Sequence, residues 1–197
     1  MRDVFELERT TNIPATSYIL SYPHILSYFA GRGPLDVTDF VRGAHLVYGW
    51  MPTILNLHTQ PPNLTLAQAA SLLESARTQG TISDEHLSKL VRVINNSLVG
   101  TSKLLHCVRP DIFPIWDSNV YGFVFEEKPY HSRVRDLAKF REFVRRVNAI
   151  RSDKRFGDFH ASVNSKVAYE VSEPRAVELI MFLNAPSFGV PNPVTAS

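Results

Sequence analysis

The chain offers almost no sulfur chemistry: one cysteine, Cys107, in 197 residues. A lone cysteine cannot close an internal disulfide, so a cross-linked secreted scaffold is not expected. Four-cysteine zinc and iron–sulfur sites are excluded for the same reason. Cys107 stands among Leu104, Leu105 and Val108, which reads as a small core residue. Long apolar runs are also missing. No stretch reaches the roughly 18 residues of a membrane span, and Arg2, Asp3, Glu6, Glu8 and Arg9 interrupt the place where a signal peptide would be apolar. A soluble chain in the cytoplasm, or on the nucleoid, is the expectation. There is no glycine-rich phosphate loop, so a Rossmann or P-loop enzyme is not expected. Neither an alternating strand pattern nor an internal repeat is visible.

What is present suits a globular core. Hydrophobic residues make up 44% and charged residues 20% of the chain, ordinary values for a folded domain. Net charge is only +2, yet it is uneven. From Arg133 to Arg155 there are nine Lys or Arg against three acids, Asp136, Glu142 and Asp153. Such a run reads either as a polyanion contact, most simply nucleic acid, or as a solvated helix face.

Helical signals recur along the chain. Residues 1–15 read as irregular, ending at Ile13-Pro14. Residues 15–30 read as a helix kinked or broken at Pro23. Thr38 is the expected cap of a helix carrying Phe40, Val41, Ala44, Val47 and Tyr48 at helical spacing, limited by Pro52. Pro61-Pro62-Asn63 is a loop, and Thr65 opens a helix to about Thr78 that Gly80 stops. Ser83 caps the next, with Asp84 and Glu85 in its first turn. A tight hairpin over residues 95–100 should lead to a short helix from Thr101 to Val108, ended by Arg109-Pro110. Asp117 can cap a helix to about Val124. A long amphipathic helix is expected from Ser132 to Ile150, one or two more between Phe156 and Tyr169, and a last one from Ser172 to Leu183. The fold class is therefore all-α, a compact multi-helix domain of seven or eight helices over residues 1–184, with a central helix-hairpin-helix. Residues 185–197, with three prolines, read as a flexible tail.

The stretch Gly100 to Tyr121 carries the expected chemistry. A hairpin closing on Gly100 and starting a helix presents backbone amides, from Gly100, Thr101 and Ser102, that can hold a phosphate. Lys103 would then lie in the first helical turn, where the dipole opposes a cation. Pro114-Ile115-Trp116 delivers Asp117 to another helix start. The interval between Lys103 and Asp117 allows one short helix and a return, so the two side chains can converge.

These residues resemble the core of the helix-hairpin-helix DNA glycosylase superfamily. Val99-Gly100-Thr101 resembles the end of the family's hairpin. Lys103 stands one residue later than the lysine of the bifunctional members. Phe113-Pro114-Ile115-Trp116-Asp117-Ser118-Asn119-Val120 resembles the segment with the catalytic aspartate. Ser97 and Leu98 replace the family's Pro-Gly, and the four-cysteine cluster of some members is absent. The resemblance implies a monomeric enzyme without metal or cofactor that flips a base from DNA and meets no membrane. It implies Asp117 as the carboxylate that stabilises an oxocarbenium-like sugar. Lys103 would form a Schiff base with the sugar or bind phosphate as a cation. Trp116, Tyr121, Tyr48, Trp50, His45 and His106 are candidates to hold the flipped base. Asn119, Arg141, Arg145 and Arg146 would join the Gly100 amides on the DNA.

Each residue also has a plainer reading. Asp117 can be a simple N-cap, Lys103 a surface lysine, and the aromatics core packing. A helical DNA-binding or protein-interaction module without catalysis is the competing expectation. A nuclease would need clustered carboxylates for a metal, and Asp111 with Asp117 is a thin pair for that.

Overall fold

The computed structural model describes residues 2–188. The all-α class is as expected: eleven helices and no strand are present among the described residues, the one β feature being an isolated bridge between Leu57 and Ile94. No helix among them is long and apolar enough to cross a membrane. The chain divides into two compact units. The central unit is Pro23–Phe113; the terminal unit joins residues 1–22 to residues from Pro114 onward. The chain passes between them once inside helix α2 (Ser17–Ser27), at Pro23, and once at Phe113-Pro114.

In the central unit, α3 spans Val37–Trp50, α4 Leu66–Gln79, α5 Asp84–Val93 and α6 Leu98–Val108. The cap of α3 is Asp36 and not Thr38. Asp36 accepts from the Asp39 amide at 2.8 Å while the Asp39 carboxylate accepts from the Asp36 amide, a reciprocal capping box. Thr65 and Ser83 cap α4 and α5 as expected, and Gly80 closes α4 with a left-handed φ of 66°. The hairpin expectation needs correction. Ile94 to Ser97 make the connection, with Asn95 and Asn96 both left-handed at φ 52° and 50°, a conformation asparagine tolerates. Asn95 secures the turn by donating to the Ile54 carbonyl at 2.8 Å. Ser97 then caps α6, so that helix begins three residues before Thr101. All of α6 except Val99 is buried, with α3, α4 and α5 packed around it. A helix apolar on one stripe would not need this; α6 is enclosed on every face.

In the terminal unit, α1 spans Val4–Thr10, α7 Ser118–Phe125, α8 His131–Val134, α9 Leu137–Arg151, α10 Phe156–Val167 and α11 Glu173–Leu183. The N-terminal segment expected to be irregular forms α1, capped by Asp3 through the Phe5 amide at 2.9 Å. The long helix expected from Ser132 is two helices. Asp136 turns its carboxylate onto the Ala138 amide at 2.8 Å and starts α9 afresh. Ser172 caps α11 with Pro174 in its first turn. Pro174 to Phe182 are all buried, with α1, α7, α9 and α10 around them. Of the expected tail, the described part reaches Phe188, whose ring lies 2.9 Å from where a Cβ on Gly122 would stand. Residues 189–197 lie outside the described residues.

Candidate functional site

In the central unit, candidate residues gather at the start of α6. The Gly100 amide donates to Ser97 Oγ at 3.1 Å, and the Thr101 amide donates to the Ser97 carbonyl at 3.0 Å. The Thr101 and Ser102 hydroxyls donate to the carbonyls of Ser97 and Val99. Gly100, Thr101 and Ser102 therefore bond within the helix and are buried, unlike the open amides expected of a helix start at Thr101. Gly100 has a packing reason to be glycine. A Cβ there would stand 2.1 Å from the Tyr48 hydroxyl. Burial pushes the Tyr48 phenol above its usual pKa, against the pull of the Ser97 hydroxyl.

Lys103 falls in the second turn of α6, is only 7% exposed, and holds Nζ 5.4 Å from the Trp50 ring centroid. That geometry is a cation–π contact in a desolvated setting. Tyr48, Trp50, Gly100 and Lys103 thus meet between α3 and α6. His106 is fully buried and directs Nδ1 to the Phe113 carbonyl at 2.6 Å, which fastens the end of α6 to the return strand of chain. His45 lies elsewhere: it is exposed on α3 and bonds back to the Val41 carbonyl at 2.9 Å.

In the terminal unit, the candidate residues begin after Pro114. Asp117 is 8% exposed and accepts from the Val120 amide at 2.9 Å, so it is the cap of α7. A carboxylate in that place is favoured by the helix dipole. Trp116 is fully buried, 5.1 Å from Phe143 and edge-on to Tyr121 and Phe140, and its Nε1 donates to the Val134 carbonyl at 2.8 Å. The Tyr121 ring is buried beside it and its hydroxyl donates to Glu127 at 2.7 Å. Both rings are core packing in this structure. Asn119 is half-buried in the first turn of α7.

No family model, curated protein or solved structure matches the chain.

Much of the basic run is neutralised in place. Arg133 and Lys139 pair with Glu127, Arg146 with Glu142, Arg151 with Glu173, and Arg155 with Asp153 and Asp3. Three of those acids come from outside the run, which sequence counting could not foresee. Arg146 also donates to the Val124 carbonyl and lies over the Phe125 ring. Arg145 is exposed and Arg141 half-buried on α9. Asp111, the thin partner for a metal with Asp117, is exposed and pairs with Arg109 at 2.9 Å. Among the described residues no three His, Cys, Asp or Glu side chains gather as a metal would require.

Sequence reading missed a buried group on α11. Arg175 and Glu178 are both fully enclosed and pair at 2.5 Å. The guanidinium lies 4.8 Å from the Tyr22 ring and 5.5 Å from the Tyr18 ring. Burial holds the Tyr18 phenol far above its usual range; Arg175 opposes this, and the Glu178 and Asp117 carboxylates add to it. The available signal was an Arg and a Glu three apart in a helix that is otherwise apolar from Pro174 onward.

Proposed function

We propose that the chain is a DNA glycosylase that takes a damaged or modified base out of DNA and cleaves its N-glycosidic bond. Its role would lie in base-excision repair or in defence against DNA carrying modified bases. One observation carries this reading. Of the eight buried polar or charged residues among the described ones, five lie between Thr101 and Asp117: Thr101, Ser102, Lys103, His106 and Asp117. Lysine and aspartate are seldom buried without a reason, and they are buried here in the segment whose motif suggested chemistry.

In this reading Asp117 faces the sugar. As the base leaves with the bonding pair, positive charge grows on C1′ and the ring oxygen, and a fixed carboxylate offsets it. The same carboxylate can take the proton of an attacking water. Lys103 acts either by attacking C1′ as a neutral amine, giving an imine after the base departs, or by holding a phosphate.

A second reading, a helical DNA-binding module without catalysis, is favoured by the bond from the Val120 amide to Asp117, since capping alone accounts for the residue. Asp117→Asn separates the two. Asparagine caps as well as aspartate, so fold and DNA binding should stay while charge is lost. Duplexes carrying varied modified bases, assayed for alkali-labile abasic sites, should show a loss of about 100- to 10,000-fold. Unchanged excision by Asp117→Asn would remove Asp117 from the chemistry, and no abasic sites from wild type on any duplex would leave the binding module. Borohydride trapping through Lys103 tells the imine route from phosphate holding.

A further inference from the structure

Between α7 and α9 lies a segment that neither the motif nor the proposed chemistry uses. Residues 128–135 read Lys-Pro-Tyr-His-Ser-Arg-Val-Arg: three permanent cations, one histidine, one aromatic and no acid. Tyr130 is 51% exposed, and it is the one aromatic among the three large hydrophobics so exposed in the described residues, beside Leu20 and Ile54. It precedes α8 as the cap residue, yet its side chain makes no capping bond. Packing and capping therefore leave its position unexplained.

Cations lie over the ring, and main-chain bonds fix the segment that carries it. Lys128 Nζ lies 5.6 Å from its centroid and the Arg133 guanidinium 5.1 Å. The Tyr130 amide donates to the Lys128 carbonyl at 3.0 Å, the Arg133 amide donates to the Tyr130 carbonyl at 2.9 Å, and Arg133 Nη1 reaches the Lys128 carbonyl at 3.3 Å. The nearest acid, Glu127, is already engaged by the Tyr121 hydroxyl, Arg133 and Lys139. Beneath the segment, Val134 is buried and its carbonyl takes the Trp116 indole N–H. Trp116 is the residue immediately before Asp117, so one dipeptide anchors both this surface and the cap of α7.

An exposed aromatic ring with two long cationic side chains over it, free to give way to a base and turn to its phosphates, suits a strand whose bases are unstacked. A protein partner would favour a contiguous apolar patch about the ring, and a duplex hides its base faces. We propose that Tyr130, with Lys128 and Arg133, is a stacking platform for single-stranded DNA: one nucleobase lies on the phenol and the flanking phosphates meet the two cations. This rests on the DNA-directed reading above but not on catalysis.

The test is binding of a fluorescein-labelled oligothymidylate of about twelve nucleotides, followed by anisotropy at low salt. Tyr130→Ala should weaken binding about 10-fold, within the range a lost base–aromatic stack gives, while Tyr130→Phe stays within about twofold of wild type. Lys128→Gln with Arg133→Gln should flatten the salt dependence by about 1.4 in the log–log slope, two phosphate contacts' worth for a single strand. Since Tyr130 is exposed, the urea midpoint of Tyr130→Ala should match wild type and exclude misfolding as the cause. The proposal is overturned if wild type does not bind the oligomer, if Tyr130→Ala binds as wild type does, or if oligouridylate binds more tightly than oligothymidylate. No modified base is involved, so an enzyme that fails to excise leaves this result intact, and an unaltered Tyr130→Ala leaves the Asp117 assay intact.

Discussion

Each unit is packed around one enclosed helix, and the two helices handle buried charge differently. In α11 of the terminal unit, Arg175 meets its counter-charge one turn later in Glu178, with tyrosine rings about the guanidinium. In α6 of the central unit the sequence Leu98–Val108 holds no acid at all, yet it buries Lys103 against an indole. A cation with its own counter-charge in the same helix is a structural element. Lys103 has no counter-charge within its own helix, and the indole that covers it comes from α3.

This contrast can be broken by mutation. The largest effect is expected in α11. Arg175→Met alone leaves Glu178 charged and enclosed and should cost about 3–5 kcal/mol in urea unfolding, whereas Arg175→Met with Glu178→Leu should recover most of it. A double variant no better than the single would show that the pair is not a self-contained unit. In α6, Lys103→Met swaps an ammonium for an apolar chain of similar shape and should leave stability within about 1 kcal/mol or raise it. A loss as large as that of Arg175→Met would make Lys103 structural and remove the contrast. The smallest effect belongs to an ordinary, half-exposed ion pair used as the reference. Glu74 is held below the usual carboxylate range chiefly because Arg77 donates to it, at 2.8 Å, with the Leu35 amide helping. Its folded pKa is depressed, so its contribution is present above the unfolded value of about 4.3 and is lost as pH falls through the folded value. Glu74→Gln should therefore cost less than about 1 kcal/mol at pH 7, with the gap to wild type closing in acid; a gap that persists there would assign the effect to lost packing.

What the sequence made legible follows the range of the forces involved. Caps with a strong local signature, Thr65, Ser83, Asp117 and Ser172, start their helices as expected. Where two local signals competed, position alone did not decide. Asp36 outdid Thr38 because Asp39 returns the bond. Asp136 divided a stretch whose apolar spacing ran on regardless. Gly100 looked like the end of a hairpin, but its lack of a side chain serves Tyr48, a residue 52 positions earlier. The candidate site was legible as a motif and not as an environment. Nothing adjacent to Lys103 announces an amine shut away from water, since the Trp50 ring that covers it comes from another helix. The Arg175–Glu178 pair was overlooked for the opposite reason: a charged pair three apart is read as surface decoration until its helix is seen to be enclosed.

The split of the terminal unit also bears on how the protein is born. Residues 23–113 are one uninterrupted stretch, and a ribosome translates all of it before it reaches α7. The first 22 residues must wait. The ring of Phe5 on α1 rests edge-on against Phe159, 5.4 Å away, a partner that emerges only after the whole central unit. The apolar face of α1 therefore stays uncovered in the nascent chain until α10 and α11, which lie beyond the whole central unit, have been made.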